Sequence, residues 1–542
     1  MQRRYVTLSD GRQVHYRHAG EGPAMLLLHP SPQCSEAIIP ALMALSEVCE
    51  CHALDTPGYG LSDDIPEARP DMGHYADSVI ATADALGMEQ FYLYGAATGS
   101  QVAIELGKRY PERVKMIMLD TNGHVSDEDR ERVLDGYFPD VTPRRDGGHL
   151  MTYWDMSRHL FVSFPWQSDR VEDRLSIPLP PVEFIQTMFL RYLRAGTGYA
   201  KAYRPAFETE KRAHMDGLDV PTTMMRWEGS IALAITDALI AEGVPDCLEV
   251  LHAGPALENR FQVQVEALRK GIATHGDTPP LQPQQNRLAP DALERCYFAS
   301  GASQIHAQVN RRGSGRPLVL IHDLLASSDQ IRSRAEPHIG HRPVMLIDLP
   351  GHGASAPDPE TPALTLDSLA ESIAPAITAF TGSEVDIEGT GLGGAIAAML
   401  AKLVPVQNVH LVDPVPFTNA ERTELEGAAI PDLGPRMDGS HLTAAWAMVI
   451  DSEYYWPWFN TTPAGMRTSD PCLDPEWLHL RVSDILRTGA GFADLVRLGM
   501  NVDWQQELDR LERPAEVIAS DRHPCPDRLE RWQNRLEKSG EK

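Results

Sequence analysis

Short runs of Val, Ile, Leu and Met alternate along the chain with longer amphipathic stretches, and this alternation predicts the secondary structure. The apolar runs end in Gly, Asp or His, whereas longer stretches such as MGHYADSVIATADALG at 72–87 have helical character. Parallel strands joined by crossover helices produce this rhythm, because strands covered on both faces are continuously hydrophobic. The pattern therefore predicts an α/β fold.

The same order of segments occurs twice, about 293 residues apart. This spacing is far longer than the roughly 20–50 residues of solenoid repeats, so it indicates duplication of a whole domain. The matching pairs include LLLHPSP at 26–32 with LVLIHDLL at 318–325, ALDTPGYGLSD at 53–63 with LIDLPGHGASA at 346–356, and FPDVTPRRDGGHLMTYWDM at 138–156 with IPDLGPRMDGSHLTAAWAM at 430–448.

The repeat predicts the domain boundaries. We expect a first domain over 1–273, a Pro- and Gln-rich linker over 274–290 and a second domain over 291–542. In each copy a Trp-, Arg- and Pro-rich stretch, at about 124–215 and about 417–507, interrupts the strand pattern, and we expect it to form a helical cap over the sheet. The chain ends soon after Asp521, so the second domain is expected to lack its last strand. An exposed sheet edge can pair with a strand of another chain. A homo-oligomer formed through the second domain is therefore one possible arrangement.

Composition and charge narrow the function classes. The formal net charge of −27 argues against nucleic acid and against an anionic membrane as partners. No apolar run approaches the roughly 18 residues of a membrane span, and the first residues lack the apolar stretch of a secretory signal. We therefore expect a cytoplasmic protein that binds a small organic molecule. No zinc motif, phosphate-binding loop or dinucleotide motif occurs, so neither a metal nor an organic cofactor is expected.

These segments resemble the α/β-hydrolase superfamily, and the resemblance covers nearly all of both halves. His29-Pro30 and His322-Asp323 follow the third strand, where the family has His-Gly and places an oxyanion-hole amide. The loops DTPGYG at 55–60 and DLPGHG at 348–353 resemble the family's D-x-P-G-x-G loop. The resemblance implies two tandem α/β-hydrolase-like domains, each with a mostly parallel sheet, flanking helices and an inserted helical cap.

Neither copy has the serine of the family's nucleophile elbow, G-x-S-x-G. GAATG at 95–99 places Ala97 at the serine position and Thr98 after it, whereas GTGLG at 389–393 places Gly391 there and Leu392 after it. Only the central residue of an elbow points into the site, so Thr98 is not expected to replace the serine. An engineered inactivation of the nucleophile at Ala97 would explain the first elbow alone.

The other triad positions are also incomplete. Glu228 and Asp521 stand where the family often has its acid. In the first copy, however, Pro255 takes the place of the histidine, and in the second copy we expect the strand and the histidine that would follow Asp521 to be absent. The loss of serine and histidine together favours natural divergence over an inactivated hydrolase.

The cap repeat offers candidate residues for other chemistry. Asp146, His149 and Trp154 recur at the same spacing as Asp438, His441 and Trp446. One interpretation is structural, with Asp capping a helix, His in its first turn and Trp in the core. The other places the histidines, His149 before His441, in the pocket as general acid–base groups beside an apolar Trp wall.

Two function classes remain open, apart from the engineered hydrolase. The first is an enzyme with a serine-independent site, in which acid–base catalysis and oxyanion stabilisation act on a small carbonyl-type substrate. The second is a catalytically inactive protein that binds a small hydrophobic ligand or a protein partner. The duplicated cap motif favours the enzyme, but the sequence determines neither the substrate nor the reaction class.

Overall fold

The structure is a computed structural model that describes residues 1–357, 364–428, 430–509, 511, 514–525 and 528–529. The chain divides into two units, of which the first comprises Met1–Thr142 and Thr152–Leu288 and the second Pro143–Met151 and Ala289–Lys542. The end of the predicted second domain, 530–542, lies outside the described residues. No described helix combines the length and the hydropathy that crossing a membrane requires.

The first unit contains an eight-stranded sheet in the order β1-β2-β4-β3-β5-β6-β7-β8. Its strands are β1 (Gln2–Thr7), β2 (Gln13–Ala19), β3 (Ala24–Leu28), β4 (Glu50–Leu54), β5 (Phe91–Ala96), β6 (Val114–Asp120), β7 (Thr222–Trp227) and β8 (Leu248–Ala253). Strand β2 pairs antiparallel with β1 and β4, and all other neighbours are parallel.

Nine α-helices lie between or after these strands. They are α1 (Ile39–Leu45), α2 (Met72–Leu86), α3 (Thr98–Arg109), α4 (Asp127–Gly136), α5 (Gly148–His159), α6 (Val182–Ala195), α7 (Ala200–Thr209), α8 (Leu233–Ala241) and α9 (Leu257–His275). Helices α4 to α7 form the insertion between β6 and β7.

The second unit contains a seven-stranded sheet in the order β9-β10-β12-β11-β13-β14-β15. Its strands are β9 (Glu294–Ser300), β10 (Ser303–Asn310), β11 (Leu318–Ile321), β12 (Val344–Ile347), β13 (Val385–Thr390), β14 (Val406–Val412) and β15 (Ala515–Ile518). The order repeats that of the first sheet strand for strand. Within the described ranges it stops one strand earlier.

The helices of this second part are α10 (Arg332–Ala335), α11 (Leu366–Phe380), α12 (Gly393–Leu400), α13 (Asn419–Ala428), α14 (Ser440–Tyr454), α15 (Pro475–Thr488), α16 (Phe492–Met500) and α17 (Trp504–Asp509). Helices α13 to α17 lie between β14 and β15, which is the position of the helical insertion in the first copy. The two mostly parallel sheets with flanking helices confirm the predicted fold class.

Local chemistry explains why the same elements form twice. The strands β3 and β11 are apolar and fully buried, as strands covered on both faces must be. The long helices α2 and α11 both begin with a capping box, in which Asp71 accepts from the amide of His74 and Thr365 accepts from that of Ser368.

The segment predicted to be a linker lies against the first unit. The amides of Gln282 and Gln284 donate to the carbonyl oxygens of Gly87 (3.1 Å) and Ala85 (3.0 Å) at the end of α2. Gly87 has φ +74°, and a Cβ there would clash with the backbone of Gln282. A glycine is therefore required both by the backbone angle and by the close approach of the segment.

Candidate functional site

The central residues of both elbows lie in sharp turns between a strand and a helix. Ala97 joins β5 to α3 with φ 48° and ψ −111°, and Gly391 lies between β13 and α12 with φ 55°. A positive φ is unusual for alanine and indicates a strained turn.

In the first copy, the loop after β3 is held by the chain's own side chains. The buried ring of His29 accepts the amide of Thr56 (3.0 Å) and donates to the carbonyl of Pro30 (2.9 Å). Burial lowers the pKa of His29, so this ring is a neutral brace for the loop. The amide of Ser31 donates to the Thr98 hydroxyl at 3.3 Å.

In the second copy, the corresponding loop after β11 contains an aspartate, Asp323. His322 again braces the loop, accepting the amide of Leu349 at 3.0 Å. Oδ1 of Asp323 accepts two amides, that of Leu324 (2.8 Å) and that of Leu392 at the elbow (3.1 Å). The amide of Leu324 lies in the loop after β11, and that of Leu392 comes directly after the central residue of the elbow. The resemblance to hydrolases places oxyanion-hole donors at these positions.

The position of Asp323 depends on the glycine at the elbow. A Cβ on Gly391 would clash with the carboxyl group of Asp323. Burial raises the pKa of Asp323, although the amides of Leu392 and Leu324 act in the opposite direction. The carboxyl group of Asp323 thus lies beside the elbow, in the space that a side chain on residue 391 would need.

A cavity of about 380 Å³ lies beside this carboxyl group in the second unit. On the sheet side it is lined by Asp323, Thr390, Gly391, Leu392 and Asp413, and on the cap side by Phe417, Met448, Val449, Trp456, Trp458, Trp477 and Ile485, among others. The volume is near the lower end of the roughly 300–1,000 Å³ of small-molecule pockets.

Charged side chains form part of the cavity wall. Glu453, only 3% exposed, accepts Arg481 Nη1 (2.5 Å), the amide of Cys472 (2.8 Å) and the guanidinium of Arg522. Arg467 Nη1 donates to the backbone carbonyl of Ser452 at 2.7 Å. Burial lowers the pKa of Arg467 and of Arg481.

Both cap histidines lie outside the lining of this cavity. The fully buried rings of His149 and His441 accept, through Nδ1, the amides of Arg144 and Arg436, each at 3.2 Å. Burial lowers the pKa of both rings to about 4. The amide contact that both rings share holds a loop, and His149 Nε2 also lies 3.1 Å from Nδ1 of His479.

The aspartates and tryptophans of the cap motif have structural contacts as well. Asp146 accepts the amide of Gly148 (2.9 Å), and Asp438 accepts that of Ser440 (3.0 Å). Trp154 is buried against Phe189, with ring centroids 5.7 Å apart, and Trp446 is also buried. Neither tryptophan lines the described cavity, whereas Trp456, Trp458 and Trp477 do.

The predicted triad acids do not lie in a buried site. Glu228 follows β7 and Asp521 follows β15, as expected, but both side chains are exposed. Pro255 follows β8, and His252 lies within that strand and is exposed. His523 is buried and accepts the amide of Cys525 at 2.9 Å.

Sequence reasoning missed the polar residues of the cavity wall. Asp323 was a candidate only as a loop position, and Arg467, Arg481 and Glu453 belong to no recognised motif. The repeat of FPW at 164–166 by WPW at 456–458 was the one visible signal, since it marks Trp456 and Trp458. The repeat does not indicate that these two tryptophan side chains line a cavity.

One group with the spacing of a metal site occurs among the described residues, although no metal was expected. Ligand atoms of His18, Glu50 and His52 lie within 4.8 Å of one another in the first unit. His18 Nε2 and Glu50 Oε1 are 3.0 Å apart, and burial lowers the pKa of His52 to about 3. None of the three lines the cavity of the second unit.

Comparisons with known proteins agree with the geometry. A family model described as alpha/beta hydrolase fold matches residues 23–214 and 316–465. An uncharacterized hydrolase of Saccharomyces cerevisiae is 29% identical over 125 residues, which are 23% of this chain and 43% of the yeast protein. The chain thus spans less than half the length of that relative.

A more extended match is the 2-hydroxymuconate semialdehyde hydrolase of a Pseudomonas species. It is 24% identical over 217 residues, which are 39% of this chain and 68% of that enzyme. Among solved structures, a thermophilic esterase from Thermogutta terrifontis matches with a TM-score of 0.38 and 18% identity, covering 51% of this chain and 100% of the esterase.

Proposed function

The chain belongs to the alpha/beta hydrolase fold family, and from that premise we propose that it is a serine-independent enzyme. Its acid–base group is the carboxyl of Asp323, and its substrate is a small organic carbonyl compound bound in the cavity of the second unit.

The observation that carries this proposal is the replacement of a side chain on residue 391 by the Asp323 carboxyl. Ala97 offers only a methyl group and Gly391 offers no side chain, so neither elbow supplies an attacking oxygen. The carboxyl group lies at the second elbow, anchored by two amides and next to the cavity.

The geometry favours proton transfer over oxyanion stabilisation. Both amides that could polarise a carbonyl oxygen are already engaged by Asp323 Oδ1. The carboxyl can instead donate a proton to the substrate oxygen or remove one from a neighbouring carbon, and burial, which raises its pKa, favours the protonated form that donation requires. The Pseudomonas relative, which by its name hydrolyses a semialdehyde, supports a carbonyl substrate.

The alternative is a catalytically inactive binding protein, and the first unit favours it. There the Thr98 hydroxyl accepts the amide of Ser31 at the loop, and Pro30 stands at the position that corresponds to Asp323. We therefore assign chemistry to the second unit and a structural role to the first, the reverse of the order expected from the sequence.

The experiment is a turnover screen with small carbonyl compounds, namely aryl and alkyl esters, β-lactones and 2-hydroxymuconate semialdehyde. Asp323→Asn keeps the size of the side chain but cannot transfer protons, so we expect turnover to fall by about 10²–10⁴-fold. Asp367→Asn, an exposed position on α11, is the matched control.

Two outcomes would refute the enzyme hypothesis. One is full turnover by the Asp323→Asn protein. The other is a folded wild-type protein that converts none of these compounds, which would favour the binding alternative.

A further inference from the structure

The wall of the second unit's cavity contains three N–H groups for which the described residues provide no acceptor. From them, and building on the proposed function, we infer that the cavity takes a small organic carboxylate with an apolar body, and that Arg467, Trp456 and Trp477 bind its anionic group.

The three unpartnered donors are Nε of Arg467 and the indole Nε1 atoms of Trp456 and Trp477. Each atom is buried, finds no acceptor among the described residues and belongs to a side chain that lines the cavity. Buried donors are nearly always hydrogen-bonded in native proteins. A ligand whose acceptor oxygens reach these donors would satisfy them.

One of the three guanidinium groups in the cavity wall, that of Arg467, forms no ion pair within the described part of the chain. Arg481 and Arg522 both pair with Glu453, whereas Arg467 donates only to the backbone carbonyls of Ser452 and Arg522 within the described part of the chain. Arg467 is thus a half-buried cation that forms no salt bridge with a carboxylate in those ranges, although the charges of Glu453 and Asp413 act on it. A charge-assisted hydrogen bond to an anion is the strongest interaction open to it.

Besides Glu453, the carboxyl groups of Asp323 and Asp413 line the cavity, and an ionised carboxylate would repel an anionic ligand. Asp413 accepts the amide (2.7 Å) and the hydroxyl (2.5 Å) of Ser520 through its two oxygens, and Oδ1 of Asp323 accepts the amides of Leu324 and Leu392. Both oxygens of Asp413 and Oδ1 of Asp323 are therefore engaged on the sheet side. The unpartnered donors belong to side chains from the cap insertion.

The remaining wall sets the size and polarity of the ligand. Phe417, Val449, Ile485, Leu495 and Val496 provide an apolar surface, and the cavity measures about 380 Å³. Such walls favour an organic carboxylate with one aromatic ring or a branched chain over inorganic phosphate, because the apolar part gains from burial.

The test is a titration of the full chain with 3-phenylpropionate, its neutral amide 3-phenylpropanamide, acetate and inorganic phosphate. Calorimetry and tryptophan fluorescence both report on this site, since three tryptophans line it. We expect the acid to bind about tenfold or more tightly than the amide, and acetate and phosphate to bind far more weakly.

Variants separate the ligand's anionic group from its apolar body. Trp456→Phe and Trp477→Phe remove donors that have no partner among the described residues, so folding should be preserved while affinity for 3-phenylpropionate falls about tenfold. Arg467→Met should lower the affinity for 3-phenylpropionate by a similar factor. Arg497→Met, an exposed residue on α16 that pairs with Asp494, is the control and should change nothing.

Equal affinity for the acid and the amide would overturn the anion site, as would Trp→Phe variants that bind the acid normally. Tighter binding of phosphate than of 3-phenylpropionate would also overturn it in favour of a phosphate site. Asp323→Asn distinguishes the two proposals. It should lower turnover by about 10²–10⁴-fold and retain binding of 3-phenylpropionate. Full turnover by this variant contradicts the enzyme, whereas a wild-type protein that does not bind 3-phenylpropionate contradicts the anion site.

Discussion

Each cap loop depends on one histidine ring that accepts the amide of the residue five positions earlier. The contact is the same in both copies, from Arg144 to His149 and from Arg436 to His441, at 3.2 Å each. A buried acceptor of this kind stabilises a loop, because its loss leaves an amide without a partner. At the residue scale, this shared contact favours the structural interpretation of the repeated motif.

This contact predicts that His441→Ala lowers the free energy of unfolding by about 1–3 kcal/mol. The pKa of about 4 means that the folded protein binds fewer protons here than the unfolded protein between pH 6.5 and 4. The ring's contribution is therefore complete above about pH 6.5 and is lost as the pH falls toward 4. Urea unfolding at several pH values measures it.

His441→Ala should also show a flatter pH dependence of stability than the wild type. Turnover and ligand binding are expected to survive in the folded variant. A loss of turnover without a loss of stability would instead support the hypothesis that the cap histidines, His149 or His441, act in catalysis.

The sequence predicted which residues stand near the elbows but not how their side chains point. The positions of His29, His322, Ala97 and Gly391 follow from the motif order alone. That Asp323 turns back onto two amides depends on the missing Cβ of Gly391 and on the loop's geometry. Such details are set by packing, which a motif does not record.

At the scale of elements, the alternation of strands and helices and the two insertions could be predicted because hydrophobic runs and turn residues mark them, whereas the order of the strands in each sheet could not. The role of the segment 274–290 could not. Its Pro- and Gln-rich composition indicates a connection without regular structure. Its hydrogen bonds to the end of α2, and that of Asn286 to the carbonyl of Thr7 (3.0 Å), are tertiary contacts.

Gly87→Ala tests whether this segment is held by α2. The positive φ strains an alanine, and its Cβ would meet the backbone of Gln282, so we expect a loss of about 1–3 kcal/mol and faster proteolysis within 276–288. Gly217→Ala is the matched control, because Gly217 has φ +83° but open space around it. Equal proteolysis of the two variants would contradict a held segment.

At the scale of the whole molecule, the duplication extends to individual hydrogen bonds. Asp55 accepts His15 Nδ1 at 2.8 Å and the amide of Ser35 at 2.7 Å. Asp348 accepts His306 Nδ1 at 2.8 Å and the amide of Ser328 at 2.7 Å. The same buried carboxylate thus organises the loop after the fourth strand of each copy, whereas the elbows and the cavity differ between them.

Asp55 and Asp348 allow the same substitution to be tested in both units. Burial opposes ionisation of Asp348, but the hydrogen bond and the charge of His306 hold its pKa well below the usual range, and His15 does the same for Asp55. Asp55→Asn and Asp348→Asn should each destabilise their own unit by about 3–5 kcal/mol, since each breaks a buried pair. Pulse proteolysis in urea with peptide mapping assigns the loss to a unit.

The pH dependence of these losses has a definite sign. A carboxylate whose folded pKa is lowered contributes stability above its ordinary value, near 4, and this contribution is lost as the pH falls below that value. The difference between wild type and either variant should therefore be constant from pH 7 to 5 and should shrink only below about pH 4. Unequal losses at pH 7 would show that the two copies no longer depend on the same carboxylate.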